Sequence, residues 1–214
     1  GMDSKIITEF IKEVIDKNIN VHSFLVCRNG YLVTEGYFWP YNKDRHHAMY
    51  SVSKSFTSTL VGIAESKGLL SVDDYVLSFF PEIKPLNMDG NKQKMKIKHL
   101  LTMSSGHRED TTPRIVDTHD WVKAFLDLPV EDEPGSHFVY NSGATYMLSA
   151  ILQRVTGVST FEYAKAHLFN AMGISDAYWS ECPKGINCGG WGLYIRPVDM
   201  LKMGYLFLNN GTWN

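Results

Sequence analysis

The sequence predicts an α+β fold on three observations: an amphipathic helix at the N-terminus, a hairpin signal directly after it, and helical periodicity through most of the remainder. In the first segment Ile6, Ile7, Phe10, Ile11, Val14 and Ile15 recur at helical spacing among Lys5, Glu9, Lys12, Glu13, Asp16 and Lys17, so one face is apolar. Two runs of alternating apolar residues follow, 22–26 and 31–38, with Asn29-Gly30 between them. A type I′ turn needs positive φ at both central residues, and Asn-Gly supplies it. A second helix begins near Ser51 and ends at Gly68 through a left-handed cap. Beyond it the helical texture is broken by Pro81, Pro85, Asn87 to Asn91, Pro113, Pro129, Pro134-Gly135 and the 183–190 stretch. Two later helices are expected to face a core: 141–156, with Tyr146, Met147, Ile151, Leu152 and Val155 on one side, and 198–208, with Met200, Leu201, Met203 and Leu206. There are no repeats, and no linker is long enough to separate independent domains.

Composition bounds the function. The 214 residues are 44% hydrophobic and 21% charged, enough for one sizeable core or two small ones. A formal net charge of -2, with both signs mixed along the chain, gives no reason to expect nucleic acid or a membrane as a partner. Gly1 before Met2 reads as a tag remnant ahead of a native start, and the N-terminal segment reads as a surface helix rather than a signal-peptide core. The expected location is therefore the cytoplasm. Cys27, Cys182 and Cys188 show no paired ligand spacing; Cys182 and Cys188 could close a small loop, but free thiols are the expectation. The eight histidines are scattered, and neither a metal nor a cofactor is expected.

The chemistry-bearing pattern is Ser51-Val52-Ser53-Lys54, which opens the apolar stretch Phe56, Leu60, Val61, Ile63, Ala64. On a helix, residues three apart share a face, so the Lys54 nitrogen can reach the Ser51 hydroxyl. A serine becomes a nucleophile when a neighbour takes its proton, and a lysine can do so only when neutral, a state favoured by apolar surroundings. An N-cap serine followed by a first-turn lysine is also ordinary helix chemistry, so this pair alone leaves both readings open.

Further phrases extend the pattern: Leu69 to Asp74 and Phe80-Pro81-Glu82; Ile97 to Gly106; Pro134-Gly135 through Tyr140-Asn141-Ser142-Gly143; Ala171 to Ile174; and Gly189 to Leu193 leading to Asp199. Together with Ser51 and Lys54 they resemble the serine β-lactamase and penicillin-binding-protein superfamily, most of all its class C branch and related hydrolases. The resemblance covers roughly residues 46–214. It implies a β-lactamase/transpeptidase-like domain over 1–214, with residues 1–45 giving a helix and hairpin of the sheet subdomain and 46–214 a helical subdomain carrying the nucleophile. It further implies catalytic roles for Ser51, Lys54, Tyr140 and Ser142, with Tyr140 and Lys54 moving protons. At 142 a serine stands where the family pattern has asparagine. One short hydroxyl replaces an amide that both donates and accepts. That departure resembles the esterases and the 6-aminohexanoate oligomer hydrolases, and points to a small-molecule ester or amide substrate rather than to efficient penicillin hydrolysis.

The family's third motif, a Gly-containing triplet on a strand lining the site, has no match between Ser142 and Asn214. Gly189-Gly190-Trp191-Gly192 has the wrong residue order and is read as a turn. The expectation is a chain lacking its C-terminal portion, with an incomplete antiparallel sheet that a missing C-terminal segment would complete, and with half of the oxyanion hole absent. The loop from His107 to Asp120, with Arg108, Glu109, Asp110 and Arg114, is either a cleft border or a solvated surface loop. Two functions stand side by side: a serine hydrolase working through an acyl-enzyme on Ser51, and a catalytically impaired ligand-binding or sensing module.

Overall fold

The computed structural model describes residues 2–213. In chain order it runs α1 (Ser4–Asp16), β1 (Ser23–Arg28), β2 (Tyr31–Tyr37), β3 (His47–Ala48), a 3-10 turn at Tyr50–Val52, α2 (Ser53–Ser66), α3 (Gly90–Lys94), α4 (Ile97–Leu101), α5 (Thr112–Ile115) and α6 (Trp121–Asp127). Then come α7 (Ser142–Thr156), α8 (Thr160–Ala164) continued by a π-helical turn at Lys165–Phe169, β4 (Tyr178–Trp179), β5 (Leu193–Ile195) and α9 (Pro197–Leu208). The α+β class expected from the sequence is what the chain adopts. It divides into two compact units, one made of the residues up to His46 together with those from Arg196 on, the other of His47–Ile195.

In the first unit β1 and β2 form the expected antiparallel hairpin, with Asn29 at φ 51° and Gly30 at φ 80°, as a type I′ turn requires. A register shift between Val26 and Cys27 bends the ribbon. Phe10 of α1 packs on Phe24 of β1 with ring centroids 4.6 Å apart. Of the apolar face expected on α1, only Val14 is fully buried, while Ile6 and Ile15 are exposed. The helix rests on a two-stranded ribbon, which is too narrow to cover a wide stripe. Helix α9 also lies against β1, the two bounding a cavity of about 430 Å³ lined by Phe24, Leu25, Met200 and Leu201. It is less completely covered than its pattern suggests: Met203 and Leu206 are buried, but Met200, Phe207 and Leu208 are exposed.

The second unit holds the larger core. Helix α7 is at its centre, buried on every side from Gly143 to Leu152 and packed against α2, α4 and α6. Asn141 caps its N-terminus, donating no bond itself but accepting from Ala144 N, and Gly157 at φ 73° ends it in the left-handed cap the sequence predicts. Helix α2 contributes Phe56, Leu60, Val61 and Ala64 to the same core, and the Phe56 ring meets Phe169 edge-on. Burying a side chain of this size contributes about 1.5–3 kcal/mol. The sequence pattern did not announce a second antiparallel sheet of order β3-β5-β4, with His47 opposite Ile195 and Tyr178 opposite Tyr194. Its strands are two or three residues long, too short for alternation to register.

Candidate active site

Ser51 stands where β3 turns into α2. Two bonds tie that corner to β5: Met49 N donates to the Leu193 carbonyl at 2.8 Å, and Leu193 N donates to the buried Ser53 hydroxyl at 3.3 Å. Tyr50, the residue before Ser51, adopts φ 42°. A side chain in the left-handed region costs about 1–3 kcal/mol and persists only where surrounding structure imposes it. The 3-10 turn that follows lifts Ser51 clear of the core, so its hydroxyl is exposed at the start of a helix whose next turn is buried.

Lys54 lies one turn on, as the spacing predicts. Its Nζ donates to Ser51 Oγ at 3.1 Å and to the Gly190 carbonyl at 2.7 Å. The nitrogen also stands 4.9 Å from the centroid of the Tyr140 ring. The surroundings of the half-buried lysine are thus a carbonyl and an aromatic face rather than the aliphatic shell suggested by its neighbours in sequence, because Phe56, Leu60 and Ala64 point the other way into the core. Thr57, a turn beyond Lys54, is fully buried and donates to the Gly189 carbonyl at 2.8 Å. Lysine and threonine together grip the 189–190 turn.

Tyr140 arrives from the residue before the α7 cap, and its hydroxyl donates to Ser51 Oγ at 2.5 Å. Burial pushes the phenol up, but hydrogen bonds with Ser51 and Lys54, the Lys54 charge and a hydrogen bond with Ser142 outweigh it and hold Tyr140 below the ordinary phenol value. The structure therefore brings Ser51, Lys54, Tyr140 and Ser142 together. The carbonyl of Ser142 borders Gly190 so closely that a Cβ on that glycine would lie 2.9 Å from it.

Several participants were not legible beforehand. The 189–190 segment is the turn it was read as, yet its two carbonyls anchor Lys54 and Thr57; backbone acceptors leave no mark in a sequence. Asp110 does border the site: its Oδ1 accepts from Ser142 N at 3.0 Å. His107 does not take up the role of a solvated loop residue, being buried with Nδ1 2.9 Å from Ser105 Oγ and its ring 4.9 Å from that of Phe125. Burial lowers its pKa to about 4, and the Glu131 charge only partly offsets this. Arg108 pairs with Asp132, and Arg114 with Glu109. Cys27, Cys182 and Cys188 are free thiols; burial pushes the Cys188 thiol up to about 12. Among the described residues no group of three His, Cys, Asp or Glu side chains could hold a metal ion, and no helix is long and apolar enough to cross a membrane.

A serine, a lysine one helical turn on and a tyrosine from the residue just ahead of the α7 cap, all meeting at one hydroxyl, fit the superfamily suggested by the sequence. Residues 6–196 match the Beta-lactamase family, and the chain belongs to it, within the serine β-lactamase and penicillin-binding-protein superfamily. Among curated relatives, 6-aminohexanoate-dimer hydrolase of Paenarthrobacter ureafaciens is 26% identical over 207 residues, covering 89% of this chain and 52% of that protein. The chain thus spans about half the length of that relative. Two solved structures share the fold: the octameric penicillin-binding protein homologue from Pyrococcus abyssi (TM-score 0.78, 22% identity, 99% of this chain and 57% of that one) and EstCE1, a hydrolase with promiscuous acyltransferase activity (TM-score 0.81, 17% identity, 98% and 73%).

Proposed function

We propose that the protein is a serine hydrolase that cleaves a small ester or linear amide through an acyl-enzyme on Ser51. The observation that carries this reading is that Lys54 Nζ and the Tyr140 hydroxyl converge on one atom, Ser51 Oγ, at 3.1 and 2.5 Å. In the first half-reaction Ser51 Oγ attacks the substrate carbonyl carbon while its proton passes to the Tyr140 and Lys54 pair. The C–O bond forms, the carbonyl becomes an oxyanion, and the backbone N–H of Ser51 donates to it. Collapse expels the alcohol or amine, which takes the proton from the same pair. In the second half a water attacks the acyl-enzyme carbonyl by the reverse route, releasing the acid and restoring the Ser51 hydroxyl.

The depressed phenol supports Tyr140 as the group that accepts the proton. Its anion is stabilised by donors already in place, and a base whose pKa lies closer to working pH is populated more often. The Lys54 charge over the ring, itself held by the Gly190 carbonyl, does part of that work. Ser142 supports an ester or linear amide over a β-lactam, since its hydroxyl offers a single short donor or acceptor where a penicillin-hydrolysing site would present an amide. The 6-aminohexanoate-dimer hydrolase relative is in keeping with that choice.

The test is covalent labelling of the full-length protein with a fluorophosphonate, read by intact mass and peptide mapping, alongside hydrolysis of p-nitrophenyl esters. One adduct on Ser51 and multiple turnover, both lost in Ser51→Ala, are expected. Ester turnover that survives Ser51→Ala would overturn the reading. Stoichiometric binding without turnover would replace it with the binding-module alternative.

A further inference from the structure

We propose that Asp110 is a positioning residue for the chemistry at Ser51, acting through the backbone of the Tyr140–Ser142 segment; the proposal rests on the hydrolase reading above. Tyr140 is 47% exposed, and little packing holds its ring, so the direction of its hydroxyl depends on the backbone that carries it. That backbone is locked by two interleaved turns. Asp110 Oδ1 accepts from Ser142 N at 3.0 Å while also accepting from Thr112 N at 3.0 Å and Thr112 Oγ1 at 2.7 Å. From the other side Asn141 Oδ1 accepts from Thr111 N at 3.2 Å, Thr111 Oγ1 at 2.8 Å and Ala144 N at 3.1 Å. Each turn thus satisfies the donors of the other, and the 110–112 loop is the support on which the start of α7 rests.

Asp110 suits this place for two reasons. A carboxylate oxygen makes stronger hydrogen bonds than a neutral acceptor and can serve three donors at once. Its negative charge also lies beside the first turn of α7, where the helix exposes unpaired N–H groups and favours an anion. Thr111 and Asn141 are buried and Gly143 packs without clearance against Thr111, so the backbone has no room to settle elsewhere while the carboxylate is in place. Removing it frees Ser142 N and lets residue 140 rotate, which moves the phenol oxygen off Ser51. A misplacement of about 1 Å at a reacting group can cost on the order of a hundredfold in rate.

The experiment compares wild type, Asp110→Ala and Asp110→Asn in full-length protein, with Ser51→Ala as control. Ester hydrolysis is measured across pH, and thermal melting reports folding. Asp110→Ala is expected to lower kcat about thirtyfold with KM nearly unchanged. Its rising pH limb should move up toward the ordinary phenol value, because Tyr140 loses its donors. Asp110→Asn keeps an acceptor oxygen but loses the charge, so its kcat should fall between those of wild type and Asp110→Ala. If Asp110→Ala does not fold, Asp110→Glu, which displaces the carboxylate by one methylene, takes its place with the same expected loss. A folded Asp110→Ala with wild-type kcat and pH limb overturns the proposal, as does an Asp110→Asn as impaired as the alanine variant. A wild-type protein that neither labels at Ser51 nor turns over esters removes the hydrolase reading itself, and this outcome is distinct from either.

Discussion

Lys54 donates to the Gly190 carbonyl at 2.7 Å and to the Ser51 hydroxyl at 3.1 Å, so a piece of backbone far along the chain holds the lysine more closely than does the serine it faces. The ammonium is fixed from behind by the 189–190 turn, which Thr57 secures through the adjacent carbonyl.

Gly190→Ala tests that support. A Cβ there would lie 2.9 Å from the Ser142 carbonyl oxygen and 3.4 Å from the Ser142 and Thr145 Cβ atoms, so the turn must retreat from α7 and carry its carbonyl away from Lys54. Overpacking of this kind costs about 1–3 kcal/mol. We expect a melting temperature lowered accordingly and ester turnover reduced by about tenfold or more, since the proposed mechanism needs Lys54 in place for proton transfer. Unchanged turnover in a folded Gly190→Ala would show that the carbonyl does not position Lys54.

Tyr140→Phe tests the proton route. A base must be deprotonated to act, so kcat/KM should rise with pH through a limb lying below the ordinary phenol value, the direction in which the Ser51, Lys54 and Ser142 hydrogen bonds and the Lys54 charge move this group. Loss of the hydroxyl should cost about 10²–10⁴-fold and abolish that limb. A phenylalanine variant that keeps both rate and pH profile would assign the proton transfer elsewhere.

His107 gives the fold a dependence on acid. Its pKa is lowered from 6.5 to about 4 by burial, so between those values the unfolded chain binds a proton that the native state refuses. More protons on the unfolded side means that stability rises with pH across this window and is lost as pH falls through it, by on the order of 3 kcal/mol in all. Urea titrations at pH 7 and pH 4 should show a larger drop in wild type than in His107→Leu. Equal drops would mean that the imidazole is already accessible to protons.

How much could be read in advance depended on the kind of signal. The α1 helix, the Asn29-Gly30 hairpin and the long α7 helix with its Gly157 stop were legible because each rests on local spacing or on one conformationally permissive residue. Ser51 and Lys54 were legible as neighbours on one helical turn, and Tyr140 and Ser142 only through the resemblance. The rest required the fold. Strands β3, β4 and β5 are too short to show alternation, and the partners of Lys54 and Thr57 are carbonyls of residues more than 130 positions away. Asp110 was readable only as part of a loop that is either a cleft border or solvated surface, and the bonds from Ser142 N to Asp110 and from Thr111 to Asn141 are what show that two turns form one support.

The close approach of Gly143 to Thr111 carries a consequence for how this protein can vary. A Cβ at 143 would fall 2.1 Å from Thr111 Oγ1, so every replacement of that glycine collides before its own chemistry matters. The two positions are therefore epistatic: in a saturation library position 143 should accept only glycine while threonine occupies 111, and any tolerance it acquires should emerge only in backgrounds where residue 111 has first become smaller. Such a change would also remove the hydroxyl that donates to Asn141.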